Sequence, residues 1–140
     1  MRQFSRLGVV AFLLAATVGC GGNSYQPVRG QVVFTDNSPA TALEGGQVVF
    51  RTKGGEGKVL TATGSIDAQG RFVLGTDTTN DGAAIGKYEI LITPPSGSGD
   101  TPVAGIIDRK YEKFETSGLS QDVVKGENNL TLTVERASKR

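Results

Sequence analysis

Apolar and polar residues alternate with a period of two along most of the chain after residue 27. Val28, Val32 and Phe34 fall on one side of a segment whose other side carries Arg29, Gln31 and Thr35. Val48 and Phe50 alternate with Gln47, Val49 and Arg51. Leu60, Ala62 and Ile66 alternate with Thr61, Thr63 and Ser65, and Phe72 and Leu74 flank Val73. Tyr88, Ile90 and Ile92 alternate with Lys87, Glu89 and Thr93. Leu130, Leu132 and Val134 alternate with Asn129, Thr131, Thr133 and Glu135. Successive side chains of a strand point to opposite faces, so the pattern predicts strands with one buried and one solvated face. Two antiparallel sheets packed face to face satisfy it. No window after residue 26 carries a helical stripe, and only a short helical turn is expected, around Arg109–Phe114.

Turn chemistry separates these runs. Asp67-Ala68-Gln69-Gly70 reads as a hairpin turn whose glycine accepts a positive φ. Gly54-Gly55-Glu56-Gly57, Asn80-Asp81-Gly82 and Lys125-Gly126-Glu127-Asn128 read as further turns, and Pro94–Thr101 as a mobile Gly/Ser/Pro-rich loop. The expectation is an all-β fold: a single seven- to eight-stranded antiparallel β-sandwich over residues 27–136, with residues 137–140 a frayed tail.

The N-terminus follows a different logic. Residues 1–20 read MRQFSRLGVVAFLLAATVGC: Arg2 and Arg6 give a positive start, Leu7–Val18 an uncharged, mostly apolar stretch, and Gly19 a small residue before Cys20. This is the layout of a secretory signal peptide, too short for a comfortable membrane span. Thr17-Val18-Gly19-Cys20 resembles a bacterial lipobox. That resemblance implies cleavage between Gly19 and Cys20 and acylation of Cys20. Residues 1–19 are then a lipoprotein signal peptide, and residues 20–26 the lipidated cysteine and a short tether. Each buried CH₂ contributes ~0.8 kcal/mol, so two or three acyl chains anchor stably where one would not. Gly21 follows the cysteine, rather than the aspartate that retains some lipoproteins at the inner membrane. This favours the outer one, and an extracytoplasmic location either way.

Composition narrows the chemistry. The 140 residues fit one domain. The net charge is +1, and without the leader's two arginines 13 basic residues face 14 acidic ones, which argues against nucleic acid as a partner. The chain has no His, so Ser-His-Asp triads, Cys-His pairs and His-bearing zinc sites are excluded within it. Its single Cys permits no internal disulfide.

Several stretches, in order, carry a family resemblance. They are Val28-Arg29-Gly30-Gln31-Val32, Gly45-Gly46-Gln47-Val48-Val49-Phe50, and Ala62-Thr63-Gly64-Ser65-Ile66-Asp67 with Gly70-Arg71-Phe72. Asp81-Gly82-Ala83-Ala84-Ile85-Gly86-Lys87-Tyr88, Lys110-Tyr111 with Thr116-Ser117-Gly118-Leu119, and Val124-Lys125-Gly126-Glu127-Asn128 complete the series. Together they resemble small bacterial lipoproteins with a transthyretin-like (prealbumin-like, Ig-like), carboxypeptidase regulatory-like β-sandwich. The resemblance implies a location and an architecture. It brings no agreed biochemical activity.

Candidate chemistry is sparse. Asp77, Asn80 and Asp81 form an oxygen-rich loop of the kind that holds Ca²⁺, although Thr79 and Tyr88 fall where an EF-hand loop needs ligands; the alternative is a turn built on Asx hydrogen bonds. Arg109, Lys110, Tyr111 and Lys113 form a candidate partner-facing patch, or else a solvated connection with its aromatics tucked onto the sandwich. Glu112 and Glu115 are an improbable glycosidase pair, and Ser117 has neither nucleophile elbow nor His partner. No catalytic residue and no cofactor is expected. The leading expectation is a non-enzymatic, lipid-anchored cell-envelope module, held to the membrane by Cys20 and contacting an envelope protein or polysaccharide. A carbohydrate- or cell-wall-binding module is the alternative, and a small hydrolase a more distant one.

Overall fold

A computed structural model describes residues 24–52, 57–97 and 105–138. The expected signal peptide, Cys20, most of the turn expected at residues 54–57, the far part of the Pro/Gly-rich loop and residues 139–140 lie outside the described residues. The described chain is nearly all β. Its strands are β1 (Tyr25–Gln26), β2 (Val28–Phe34), β3 (Gln47–Thr52), β4 (Thr61–Ser65), β5 (Arg71–Val73), β6 (Ala83–Ala84), β7 (Gly86–Thr93), β8 (Leu119–Val123) and β9 (Asn128–Val134). They form a three-stranded sheet, β5-β2-β9, a four-stranded sheet, β4-β3-β7-β8, and a small β1-β6 ribbon. The alternation read from the sequence is the alternation observed. Val28, Val32, Phe34, Val48, Phe50 and Ile90 are buried, while Arg29, Gln47 and Thr63 stand outward.

The inner faces of the two larger sheets share one core, which makes the fold β-sandwich-like. Its centre is aromatic. The Phe50 ring lies 6.2 Å from that of Phe72, on the other sheet, and 5.9 Å from that of Tyr88, both tilted. Burying each such side chain is worth about 1.5–3 kcal/mol and each ring pair about 0.5–1.5 kcal/mol more. The Tyr88 hydroxyl donates to the Ala84 carbonyl at 3.0 Å, so its polar end is satisfied. Burial pushes this hydroxyl above its ordinary pKa and keeps it a donor.

The turn at Asp67–Gly70 forms as expected. Gly70 has φ +75°, and Asp67 Oδ1 accepts the N–H groups of Gln69 and Arg71, each at 2.8 Å. Its two strands, however, enter different sheets, β4 the larger and β5 the smaller. They stay joined through a Thr63–Gly75 bridge, with both N–H···O contacts at 2.9 Å.

One expectation is corrected. The sheets are not wholly antiparallel: β9 runs parallel to β2 over seven pairs, from Val28–Asn128 to Phe34–Val134. The alternation of side chains is the same for either direction, so the pattern alone could not distinguish them. A parallel neighbour needs a long crossover, and here everything from β3 to β8 supplies it. The helical turn expected near Arg109 is a 3₁₀ turn, Arg109–Glu112, followed by α1 (Phe114–Ser117), which Gly118 ends at φ +65°. A further 3₁₀ turn at Thr41–Leu43 was not anticipated. Ala137 still donates its N–H to the Ile106 carbonyl at 3.3 Å.

Two positions, Gly30 and the buried Asn128, hold the β2–β9 side together. A Cβ on Gly30 would lie 2.5 Å from Phe72 Cζ and 2.8 Å from the Leu130 carbonyl oxygen, so only glycine fits there. Asn128 sits buried at the turn into β9. Its Nδ2 donates to Val124 O and Gly126 O, each at 2.9 Å, and its Oδ1 accepts the Val124 N–H at 2.9 Å. Gly30→Ala is expected to cost about 1–3 kcal/mol by overpacking, whereas Gly57→Ala, where a Cβ meets nothing within 4 Å, stays within about 0.5 kcal/mol. Urea denaturation of the two variants checks this. Asn128→Ala is expected to cost about 1–3 kcal/mol by the same measurement, because it removes the side-chain hydrogen bonds that close the turn into β9.

Candidate functional site

An open cavity of about 1040 Å³ lies over the outer side of β5-β2-β9, reaching the outer edge of β4. Strand register dictates its floor. Val73, Arg29 and Asn129 form one outward row across β5, β2 and β9, and Arg71, Gln31 and Thr131 form the next. Thr63, Ser65 and Gln47 continue the lining on the other sheet. The Asp67–Gly70 turn closes one end of β5, and the loop from Gly75 to Asn80 rises at the other. Gln31 Nε2 donates to the Gln69 carbonyl at 2.9 Å, which fixes one of the floor amides.

The charges in this cavity are unevenly committed. Asp67 is held by the hairpin N–H groups, and Asp77 Oδ2 accepts the Tyr25 hydroxyl at 2.7 Å. Arg29 and Arg71 are exposed, and among the described residues neither guanidinium has an ion pair, a hydrogen bond or an aromatic stacking partner. They sit on adjacent strands one row apart, a diagonal neighbour distance of about 7–8 Å between backbones. The lining thus presents two free planar cations among amides and hydroxyls.

The loop beside the cavity holds Asp77, Asn80 and Asp81. Asp81 Oδ1 accepts the Thr76 N–H at 2.6 Å, and its Oδ2 accepts those of Thr78 at 2.9 Å and Asp77 at 3.1 Å. Burial alone would raise its pKa, but these backbone donors outweigh it and hold the carboxyl below its usual value. Asn80 takes the left-handed conformation at φ +64°. Asp81 accepts from the loop's own backbone and Asp77 from the Tyr25 hydroxyl, and among the described residues no three acidic, His or Cys side chains converge as metal ligands. The geometry is that of the Asx turn.

The candidate patch at Arg109, Lys110, Tyr111 and Lys113 is divided by the fold. Tyr111 is buried, 5% exposed, and its oxygen accepts the Glu135 N–H at 3.1 Å, so it is not a partner-facing aromatic. Lys110 Nζ pairs with Glu135 at 2.9 Å, a contact that raises its pKa. Arg109 and Lys113 alone remain exposed. Ser117 is buried and donates to the Ile90 carbonyl at 2.5 Å, a structural role. Tyr111 and Tyr25 form no exposed aromatic platform. Sequence reasoning passed over Arg29, Arg71, Gln31, Asn129 and Thr131 because each reads as an ordinary outward position on its own strand. The available signal was the rarity of paired arginine and amide side chains on one predicted polar face.

At the opposite end of β2, Asp36 accepts from both the hydroxyl and the N–H of Ser38, and Arg136 Nη2 lies 3.3 Å from it while stacking 3.6 Å over Phe34. The Ser38 hydroxyl and N–H, and then Arg136, hold the Asp36 carboxyl down to about 2.

No known family profile matches the chain, and no curated protein sequence matches it. Among solved structures, a DUF3823 family protein from Parabacteroides merdae is similar at 15% identity and a TM-score of 0.43, over 82% of this chain and 48% of that one. A 9R-lipoxygenase from Cyanothece is similar at 18% identity and a TM-score of 0.44, over 81% of this chain and 17% of that one. The chain therefore spans about half the length of the first and a small part of the second.

A depressed carboxylate contributes stability above its unfolded pKa and loses it as pH falls through the folded one. The stability difference between the native chain and Asp36→Asn is therefore expected to be constant above about pH 4 and to close as pH drops toward 2. Thermal melts across that range test it; a difference that widened toward low pH would contradict the assignment.

Proposed function

We propose that the protein is a non-enzymatic, lipid-anchored module of the bacterial cell envelope. In this reading a transthyretin-like, carboxypeptidase regulatory-like sandwich is tethered through Cys20 on the extracytoplasmic side, with the outer membrane favoured. The observation that carries it is the adjacency of a leader ending in Thr17-Val18-Gly19-Cys20 to a β fold whose first strand begins at Tyr25. Four residues separate Cys20 from Tyr25, so the two lie at most ~18 Å apart along the chain. The domain would then work close to the membrane surface.

Several features support a binding rather than a catalytic role. The chain lacks His, and its one thiol is assigned to lipid. The carboxylates along the cavity are engaged in turns and a tyrosine contact. What the cavity offers is a row of side-chain amides, hydroxyls and guanidiniums, which recognises ligands without supplying a nucleophile or a general base. The carbohydrate-binding alternative draws on the same lining, and not on the aromatic platform such sites often use.

In a host with lipoprotein-processing enzymes, the native full-length chain is expected to incorporate labelled palmitate and to lose residues 1–19. Cys20→Ser is expected to incorporate none and to keep the leader. Intact-mass measurement and label counting read both. An unlabelled native chain, or a labelled Cys20→Ser variant, would overturn the anchor.

A further inference from the structure

We propose that the cavity over β5-β2-β9 binds an acidic polysaccharide, one whose sugar carboxylates are spaced among neutral units, with Arg29 and Arg71 as the carboxylate receptors. The inference rests on reading the protein as an envelope binding module and names the class of its ligand.

The chemistry of the lining selects this occupant. Arg29 and Arg71 point outward from neighbouring strands, one row apart, without a partner among the described residues. A guanidinium presents a planar fork of donors that matches a carboxylate bidentately. Two of the other three arginines described are already committed. Arg51 pairs with Glu89 at 2.5 Å and stacks on Phe114, and Arg136 pairs with Asp36 and stacks on Phe34. Arg109, the third, stands exposed outside the cavity, so among the described residues it is in the cavity that two free guanidiniums lie on neighbouring strands.

Charge balance restricts the ligand further. Asp67 and Asp77 share the lining with the two arginines, so the cavity is neutral as a whole while locally positive at its floor. A densely charged polyanion such as nucleic acid would be repelled by the rim as much as drawn by the floor. A chain with widely spaced carboxylates meets the arginines and leaves neutral hydroxyls beside the acids, which accept from them. Gln31, Gln47, Asn129, Thr131, Thr63 and Ser65 supply further donors and acceptors suited to sugar hydroxyls. A protein partner is disfavoured by the same surface. Interfaces centre on buried aromatic or large apolar anchors, and the exposed apolar side chain in this lining is Val73, at 39%.

The test uses the full-length chain purified in detergent and hyaluronan, which carries one carboxylate per disaccharide, as the probe. Its carboxyl-reduced derivative and poly-glutamate are the comparison ligands. Affinity electrophoresis at about 50 mM salt is expected to retard the native protein on hyaluronan, and less so at about 500 mM, where exposed charge contacts are screened. Carboxyl-reduced polymer is expected to cause no retardation. Arg29→Gln/Arg71→Gln is expected to bind about tenfold more weakly or worse, while Arg109→Gln/Lys113→Gln, which removes two exposed cations elsewhere, binds as the native chain does. Four results would overturn the proposal: no retardation of the native protein, equal retardation by the carboxyl-reduced polymer, unchanged binding by the Arg29/Arg71 variant, or preference for poly-glutamate, which would indicate an acidic peptide. The comparison of native protein on the two hyaluronan forms is decisive even if a variant misfolds. Because binding is read in detergent, a failure here leaves the palmitate result standing, and a failure of anchoring leaves the binding result standing.

Discussion

Phe72 is the contact on which the rest of the arrangement depends. Its ring fills the space above Gly30, where a side chain would need to be, and from there reaches Phe50 on the opposite sheet. One side chain thus ties β5 to β2 and the smaller sheet to the larger. Because side chains alternate along a strand, fixing Phe72 inward turns Arg71 and Val73 outward, and fixing Gly30 inward turns Arg29 and Gln31 outward. The core contact and the composition of the outer cavity are two consequences of one register. A one-residue slip of β5 would bury Arg71 and expose Phe72 together, a double cost that makes the register strongly specified.

Most local structure was legible in the chain. The period of two marked every long strand, and Asp67-Ala68-Gln69-Gly70 announced its turn through an aspartate positioned to accept N–H groups and a glycine at positive φ. The short helical segment after Asp108 was visible as a break in the alternation. What could not be read was anything depending on which strands become neighbours. The parallel pairing of β2 with β9 joins residues a hundred positions apart. The division of the Asp67 hairpin between two sheets depends on β5 finding β2. The cavity inherits both limits, since Arg29, Arg71 and Asn129 meet only after these pairings are made. Tyr111 had two readings, partner-facing or tucked onto the sandwich, and the fold takes the second. Amid Arg109, Lys110, Glu112 and Lys113, the 3₁₀ turn aims it inward, where its oxygen meets the Glu135 N–H.

The polar residues that sequence patterns treat as interchangeable turn out to be specialised by geometry. Asp81 is surrounded by backbone donors and works as the anchor of its loop. Asn128 spends its amide on three carbonyls and one N–H at the entry to β9. Both look like surface turn residues in the chain, and both are internal fittings.

The arginines divide along the same line. Arg51 and Arg136 each combine an ion pair with an aromatic face, using charge, fork geometry and apolar stem together. Such a residue is satisfied by its own fold and has little left for a ligand. Arg29 and Arg71 have neither element, although Asp67 and Asp77 stand in the same lining. The reason is that those acids are held in place by backbone N–H groups and by Tyr25, which keeps them from reaching the floor. The turn that shapes the end of β5 and the contact that secures the loop therefore also keep the two guanidiniums free. The cavity's binding capacity follows from how the surrounding acids are restrained as much as from the arginines themselves.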